Sequence, residues 1–246
     1  MANAAIAGLM WVSAAGQGQA ATCDTILIDQ SPITFCKIDL TLDSLRLWLR
    51  DDAGKPYGSF DKLNNALSHN DLTLGIAMNA GMYHDDRAPV GHYVEDGQQE
   101  QRLITSEGPG NFGMLPNGVL CLNDDKAAVI ESREFAANQP GCQFATQSGP
   151  MLVIDGKLHP RFLPDSDSFK KRNGVGVLDD GKTVVIAISD RPVNFHLFAR
   201  FFRDVAQTPN ALFLDGTVSQ LYAPQINRRD SGWPMGPILG TVKPRG

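Results

Sequence analysis

The amino-acid sequence predicts an α+β fold, a single domain with a mixed, largely antiparallel β-sheet and a few flanking helices. Three observations carry that expectation. Short strand-like apolar segments recur along the whole chain. Between them stand Asp96-Gly97, Asn117-Gly118, Asp155-Gly156 and Asp180-Gly181, pairs that two-residue hairpin turns favour because Gly accepts positive φ. Only two segments have helical periodicity, and no linker, low-complexity tract or repeat of roughly 20–50 residues divides the chain.

Taken in order, residues 25–29 and 33–40 read as two strands around a Gln30-Ser31-Pro32 turn, followed by a third at 44–49. Ser59 is placed to cap a short helix with Phe60, Leu63, Ala66 and Leu67 on one face. A strand at 73–78 follows. Residues 112–115 and 119–122 flank Asn117-Gly118 as a hairpin, and further strands are expected at 127–130, 151–154 and 174–178. The run TVVIAIS (183–189) is apolar on both faces and belongs in the middle of the sheet. After Asn194 comes the second helix, FHLFARFFRDVAQ, which ends before Pro209. Phe195, Phe198, Phe202 and Val205 form its core stripe, with Leu197 and Phe201 beside it. Strands at 211–214 and 218–222 complete the pattern.

Composition narrows the function. The 246 residues carry a formal charge of -5, which gives no electrostatic basis for nucleic-acid or anionic-membrane binding. No apolar run reaches the roughly 18 residues of a membrane span, so no stable membrane insertion is expected. Residues 4–15, AAIAGLMWVSAA, are apolar and of signal-peptide length, and Gly18-Gln19-Ala20 gives small-x-small before a cut near Ala21. A buried first helix fits this stretch poorly, because it lacks a polar face. The expected organisation is a signal peptide at 1–20 and one domain at 21–246. Cys23, Cys36, Cys121 and Cys142 are even in number, as disulfides require. Three connectivities are open, and the local pairs Cys23–Cys36 and Cys121–Cys142 are favoured. The protein is therefore expected in the periplasm or outside the cell.

Several motifs are deceptive. Gly108-Pro-Gly-Asn-Phe-Gly113 matches G-x-G-x-x-G, but a strand is expected after it where a dinucleotide site needs a helix. No G-x-S-x-G or H-E-x-x-H occurs. His84, Asp85, Asp86 and His92 match no ligand spacing and read as a solvated loop. No cofactor and no metal are expected.

Six polar clusters sit at strand ends or tight turns, where scaffolds place chemistry. They are AMNAGMY (77–83), Gly110-Asn111-Phe112-Gly113, Thr146-Gln147-Ser148-Gly149-Pro150, Lys170-Lys171-Arg172-Asn173-Gly174, Ser189-Asp190-Arg191-Pro192 and LFLDGTVSQLY (212–222). In this order they resemble the phosphodiester glycosidase family, over residues of about 35 to 225. The resemblance implies an α+β fold and hydrolysis at a sugar anomeric carbon joined to a phosphodiester. It also implies a pocket of Asn79, Gly81, Asn111, Gln147, Ser148, Gly149, Asn173, Gly216 and Ser219 around Arg172, Asp190 and Asp215. One departure stands out. Better-studied members carry D-G-G-x-S, whereas this chain has Asp215-Gly216-Thr217-Val218-Ser219.

The chemistry assigns roles independently. A departing phosphomonoester needs electrostatic stabilisation more than a strong acid. Arg172 suits that task, since a guanidinium matches phosphate oxygens in a fork. An oxocarbenium-like centre calls for a carboxylate, and Asp215 and Asp190 are the candidates. The expected function is hydrolysis of a sugar-1-phosphodiester or related envelope glycan, with a glycan or sugar phosphate as the partner. The alternative is a non-catalytic glycan- or phosphate-binding module of the same fold.

Overall fold

The computed structural model describes residues 21–245. The expected signal segment, and with it the domain boundary at residue 21, lies outside the described residues. Strands are numbered in chain order, and every ladder between them is antiparallel. The expected α+β class holds, with the strands divided among three sheets, antiparallel throughout the described residues. The largest runs β1 (Thr22–Ile28), β2 (Ser31–Asp39), β13 (Thr183–Ser189), β12 (Asn173–Val177), β14 (Asn210–Asp215), β10 (Met151–Ile154) and β11 (Lys157–Leu158). A second runs β16 (Arg228–Arg229), β15 (Leu221–Ala223), β4 (Leu72–Asn79), β17 (Ile238–Pro244) and β3 (Ser44–Trp48). The third runs β6 (Gln98–Gln101), β5 (Tyr93–Glu95), β9 (Phe144–Ser148), β7 (Gly118–Leu122) and β8 (Ala127–Glu131).

One buried cluster draws on all three sheets. It holds Ile38, Ile186 and Leu212 from the first, Leu47 and Met78 from the second, and Leu120 and Phe144 from the third. The sheets therefore pack around a shared core, and their strand ends can converge on one place. The other face of the large sheet is covered by helix α3 (Phe195–Arg200), while α1 (Phe60–Ser68) packs on β4. Helix α2 (Ser132–Asn138) is short and follows β8 directly.

Much of the sequence pattern holds. Strand β13 is interior, with Val184, Ile186 and Ile188 on one face and Val185 and Ala187 on the other. Ser59 caps α1 by accepting from the Lys62 amide. Cys23 and Cys36 lie directly opposite each other in the β1–β2 ladder and are bonded, as are Cys121 and Cys142. Asp96-Gly97 and Asp155-Gly156 both adopt positive φ at hairpin turns. Among the described residues no helix is long and apolar enough to cross a membrane.

Five expectations need correction. Residues 112–115 form a turn, not a strand, because Phe112 is buried and its carbonyl accepts from the Asn117 side chain. The same bond takes Asn117 out of any hairpin turn, and Gly118 already begins β7. The first hairpin turns at Asp29-Gln30, φ 46° and 63°, since Ser31 and Pro32 are already paired in β2. The segment 218–222 becomes strand only at Leu221, because hydrogen bonds to the site hold Ser219 and Gln220. Finally, α3 widens into a π turn at Phe201–Val205. That turns both Phe201 and Phe202 inward and leaves Val205 42% exposed.

Candidate functional site

Four strand ends meet at the edge of the shared core. Strand β4 ends at Asn79 and β9 at Ser148, while β12 begins at Asn173 and β14 ends at Asp215. Ladder register pairs Asn173 with Asp215, and a bulge follows between Asn173 and Gly174. Side chains then tie the ends together. Ser148 Oγ donates to the Leu214 carbonyl at 2.8 Å, and Thr146 Oγ1 donates to the Ala80 carbonyl at 2.8 Å. Gly81 follows at φ 145°, a conformation that strains any side chain, and an added Cβ would crowd Thr146 Oγ1 at 3.1 Å.

Asn173 is the hub. Its Nδ2 donates to Asn79 Oδ1 at 2.8 Å, and its Oδ1 accepts the Asp215 amide at 2.8 Å. Asn79 Oδ1 also accepts the Gln220 amide at 3.0 Å. Two donors on one oxygen fix which way the Asn79 amide points. Its Nδ2 is fully buried and has no hydrogen-bond partner among the described residues. Leaving such a donor unmade costs on the order of 1–3 kcal/mol, so its retention needs a reason.

Asp215 lies beside it. Burial pushes its carboxyl pKa up, opposed by backbone N–H groups of Gly216, Val218 and Thr217. Ser219 Oγ donates to the carbonyls of Asp215 and Gly216, closing the turn. Thr217, at the place of the family's second Gly, still gives its amide to Asp215 Oδ1 at 3.1 Å. The departure therefore leaves the turn's hydrogen bonding in place. Gly216 passes under the basic segment, where a Cβ would stand 3.3 Å from the Lys171 carbonyl. Tyr83 flanks the other side. Burial raises its phenol pKa, Arg87 opposes this, and the Asp215 charge adds to the rise.

The remaining expected residues are placed differently. Asp190 is engaged by Arg228 Nη1 on one oxygen and by Thr34 Oγ1, at 2.7 Å, on the other. Arg228 also holds Asp230, which accepts the Leu221 amide at 3.0 Å. This Asp190–Arg228–Asp230 strut joins the large sheet to the second one. Arg172 is 1% exposed, with Nε donating to the Val193 carbonyl and Nη2 to that of Ser168. Its guanidinium lies 3.5 Å over the Phe195 ring, and burial pulls its pKa down to about 10. Gln147 is a structural hub. Its Oε1 accepts the amides of His92 and Ile104, and its Nε2 donates to the Ile104 carbonyl and Ser132 Oγ.

Asn111 sits half-exposed in the Gly108–Gly113 turn, outside the hydrogen-bonded chain from Asn79 to Asp215. Gly149 touches that turn, since a Cβ there would stand 3.1 Å from the Phe112 carbonyl. His92 packs against Phe135 and contacts the Gln101 carbonyl, while His84 lies in an exposed turn. No group of three or more His, Cys, Asp or Glu is placed for a metal among the described residues.

Sequence reasoning missed Gln220, Tyr83, Arg228 and Asp230. Gln220 and Tyr83 stand inside the quoted motifs, so proximity could have flagged them. Arg228 and Asp230 carry no local signal.

A family model for the phosphodiester glycosidase family matches residues 73–241, from β4 to β17, and takes in all four strand ends. The chain belongs to that family. The Escherichia coli protein YigE, described as uncharacterised, is 40% identical over 147 residues, covering 60% of this chain and 57% of YigE. The catalytic domain of zebrafish N-acetylglucosamine-1-phosphodiester alpha-N-acetylglucosaminidase, auto-inhibited by its pro-peptide, has a similar fold. It gives a TM-score of 0.61 at 14% identity, covering 90% of this chain and 81% of that one. A putative exported protein from Burkholderia pseudomallei gives 0.53 at 11% identity, covering 86% and 74%. At these identities the structural matches establish a shared fold.

Proposed function

We propose that this chain is an exported hydrolase that cleaves a sugar-1-phosphodiester, or a related envelope glycan linkage, at the anomeric carbon. One observation carries the proposal: a buried, unpartnered amide donor, Asn79 Nδ2, held by a shared Asn173 beside the raised-pKa carboxyl of Asp215. Donor and carboxylate are the pair a glycosyl group needs, one for a hydroxyl or ring substituent and one for the anomeric centre.

In the reaction, the bond from the anomeric carbon to the phosphate oxygen breaks, and water supplies the new hydroxyl. The phosphomonoester leaves with the bonding electrons. Asp215 acts as nucleophile or general base toward the anomeric carbon. The exposed Lys170 and Lys171, which lie over Gly216, meet the departing charge. Arg172 anchors their loop, since its Nε donates to the Val193 carbonyl that also accepts the Lys170 amide. Asp190 acts as a positioning residue through Arg228. Export is supported by the two disulfides, which persist in oxidising compartments.

The test is release of free sugar and phosphomonoester from methyl phosphodiesters of α-glucose, α-mannose and N-acetyl-α-glucosamine 1-phosphates. Asp215→Asn should lower turnover by roughly 10²–10⁴-fold while leaving the thermal melt close to wild type. Because burial raises the Asp215 pKa, the acidic limb of the pH–rate profile should lie above that of an ordinary aspartate. Full activity in Asp215→Asn would overturn the assignment. Sugar binding without release of methyl phosphate would make the protein a binding module.

A further inference from the structure

We propose that the Trp233 indole is the sugar-stacking platform of this site and takes the apolar C–H face of a pyranose. The inference rests on the glycosyl phosphodiester reading above and adds the residue that grips the ring.

The loop between β16 and β17 is held at consecutive residues. Gln220 Nε2 donates to the Trp233 carbonyl at 2.8 Å, and the Tyr83 hydroxyl donates to the Pro234 carbonyl at 2.7 Å. Met235 is fully buried and bonds the Gly58 carbonyl, and the Ala80 amide donates to the Pro237 carbonyl. Gly236 lies so close to the Tyr83 ring that a Cβ would stand 2.6 Å from a ring carbon. Every backbone position from 233 to 237 is thus tied down or crowded, yet Trp233 is 75% exposed, more than any other large apolar residue described.

Holding an indole in water forgoes the burial that an aromatic side chain ordinarily gains. The backbone that carries the indole is fixed, and the location gives the occupant. Gln220 touches Trp233 through its side chain and Asn79 through its amide. Tyr83 bonds the same loop and feels the Asp215 charge. A pyranose is amphipathic, with axial C–H groups on one face and hydroxyls at its edge. Such a face is what an exposed indole stacks on, and such an edge carries the hydroxyls that the Asn79 donor and Asp215 would meet.

The experiment follows the indole N–H resonances of Trp233, assigned with Trp233→Phe, during titration with the methyl phosphodiesters named above, alongside steady-state kinetics. The Trp233 resonance should shift on binding. Trp233→Ala should raise KM by about tenfold, with kcat within about twofold and an unchanged melt, and Trp233→Phe should recover most of the affinity. Turnover by wild type with KM unchanged in Trp233→Ala and an unmoved indole would overturn the stacking alone. A shifted indole without turnover would support stacking and overturn hydrolysis. Neither binding nor turnover would overturn the glycosyl phosphodiester reading and this inference with it. Dissociation of a dimer by Trp233→Ala, with sugar affinity unchanged, would give the indole to a second copy and overturn the proposal.

Discussion

Asn79 gives its single side-chain acceptor to two donors and keeps its own donor unused, an arrangement that isolates the group a substrate would meet. Asn79→Asp separates the two halves. The retained Oδ1 still accepts from Asn173 and Gln220, but the donor becomes an acceptor. The expected result is a fall in kcat/KM of roughly 10–100-fold, the scale of one lost hydrogen bond to a charged or polar ligand group. Asn79→Ala strips both structural bonds as well and should also cost about 1–3 kcal/mol of stability by chemical denaturation. Equal kinetics for Asn79→Asp and wild type would show that Nδ2 meets no substrate. At this scale the sequence motifs supply residues that the fold ties together, Asn79, Asn173 and Asp215, but not the direction of each side chain. Arg172 and Asn173 are adjacent in one motif. Arg172 stacks on Phe195 beneath α3, while Asn173 reaches Asn79. Alternation along a strand separates them, and a motif read as letters does not contain it.

Elements were legible where local chemistry forces them. Asp-Gly pairs found two hairpins because positive φ at both turn residues is a local demand. Strand β6, QQEQ, has no apolar alternation because it is an edge with solvent on both faces, and β9, FATQS, buries polar side chains that bond backbone. Both were invisible to a hydrophobic pattern. The seam they frame carries a further consequence. Glu95 on β5 accepts the Leu49 amide, just past β3, and the Tyr93 hydroxyl, and burial raises its pKa to about 7. A carboxyl with a folded-state pKa above its unfolded value holds its proton more tightly when folded. Its contribution is therefore present at low pH and lost as pH rises toward about 7. Glu95→Gln keeps an oxygen for both donors and removes the titration. The variant should be more stable than wild type at pH 8 by about 1–3 kcal/mol, with the difference vanishing near pH 4. Urea midpoints at the two pH values check this, and a pH-independent difference would exclude Glu95 as the titrating group.

At the scale of the molecule, what escaped the sequence is long-range pairing. Strand β4 lies beside β17, and β2 beside β13. Such neighbours, far apart in the chain, are chosen by the shared core, not by any local signal. Cysteines are the exception, because a covalent bond reports a contact directly. Cys23–Cys36 fastens the outermost strand of the large sheet to β2, and Cys121–Cys142 ties β7 to the turn that enters β9 and so leads to Ser148. They close loops of 13 and 21 residues in sequence separation, each a restriction of the unfolded chain of about 3 kcal/mol. The native-state consequences differ. Cys23→Ser with Cys36→Ser should free β1 at an edge remote in sequence from the site strands, so turnover should survive at temperatures below the melt. Cys121→Ser with Cys142→Ser should cost similar global stability but also loosen the entry to β9, lowering turnover before the fold is lost. Melting curves and phosphodiester assays on the two double variants separate the cases. Equal loss of turnover in both, at equal stability, would mean that the bonds support only the fold. Mass measurement of protein recovered from an oxidising compartment, alkylated without reduction, should find no free thiol, and four alkylated cysteines would remove the basis for placing this protein outside the cytoplasm.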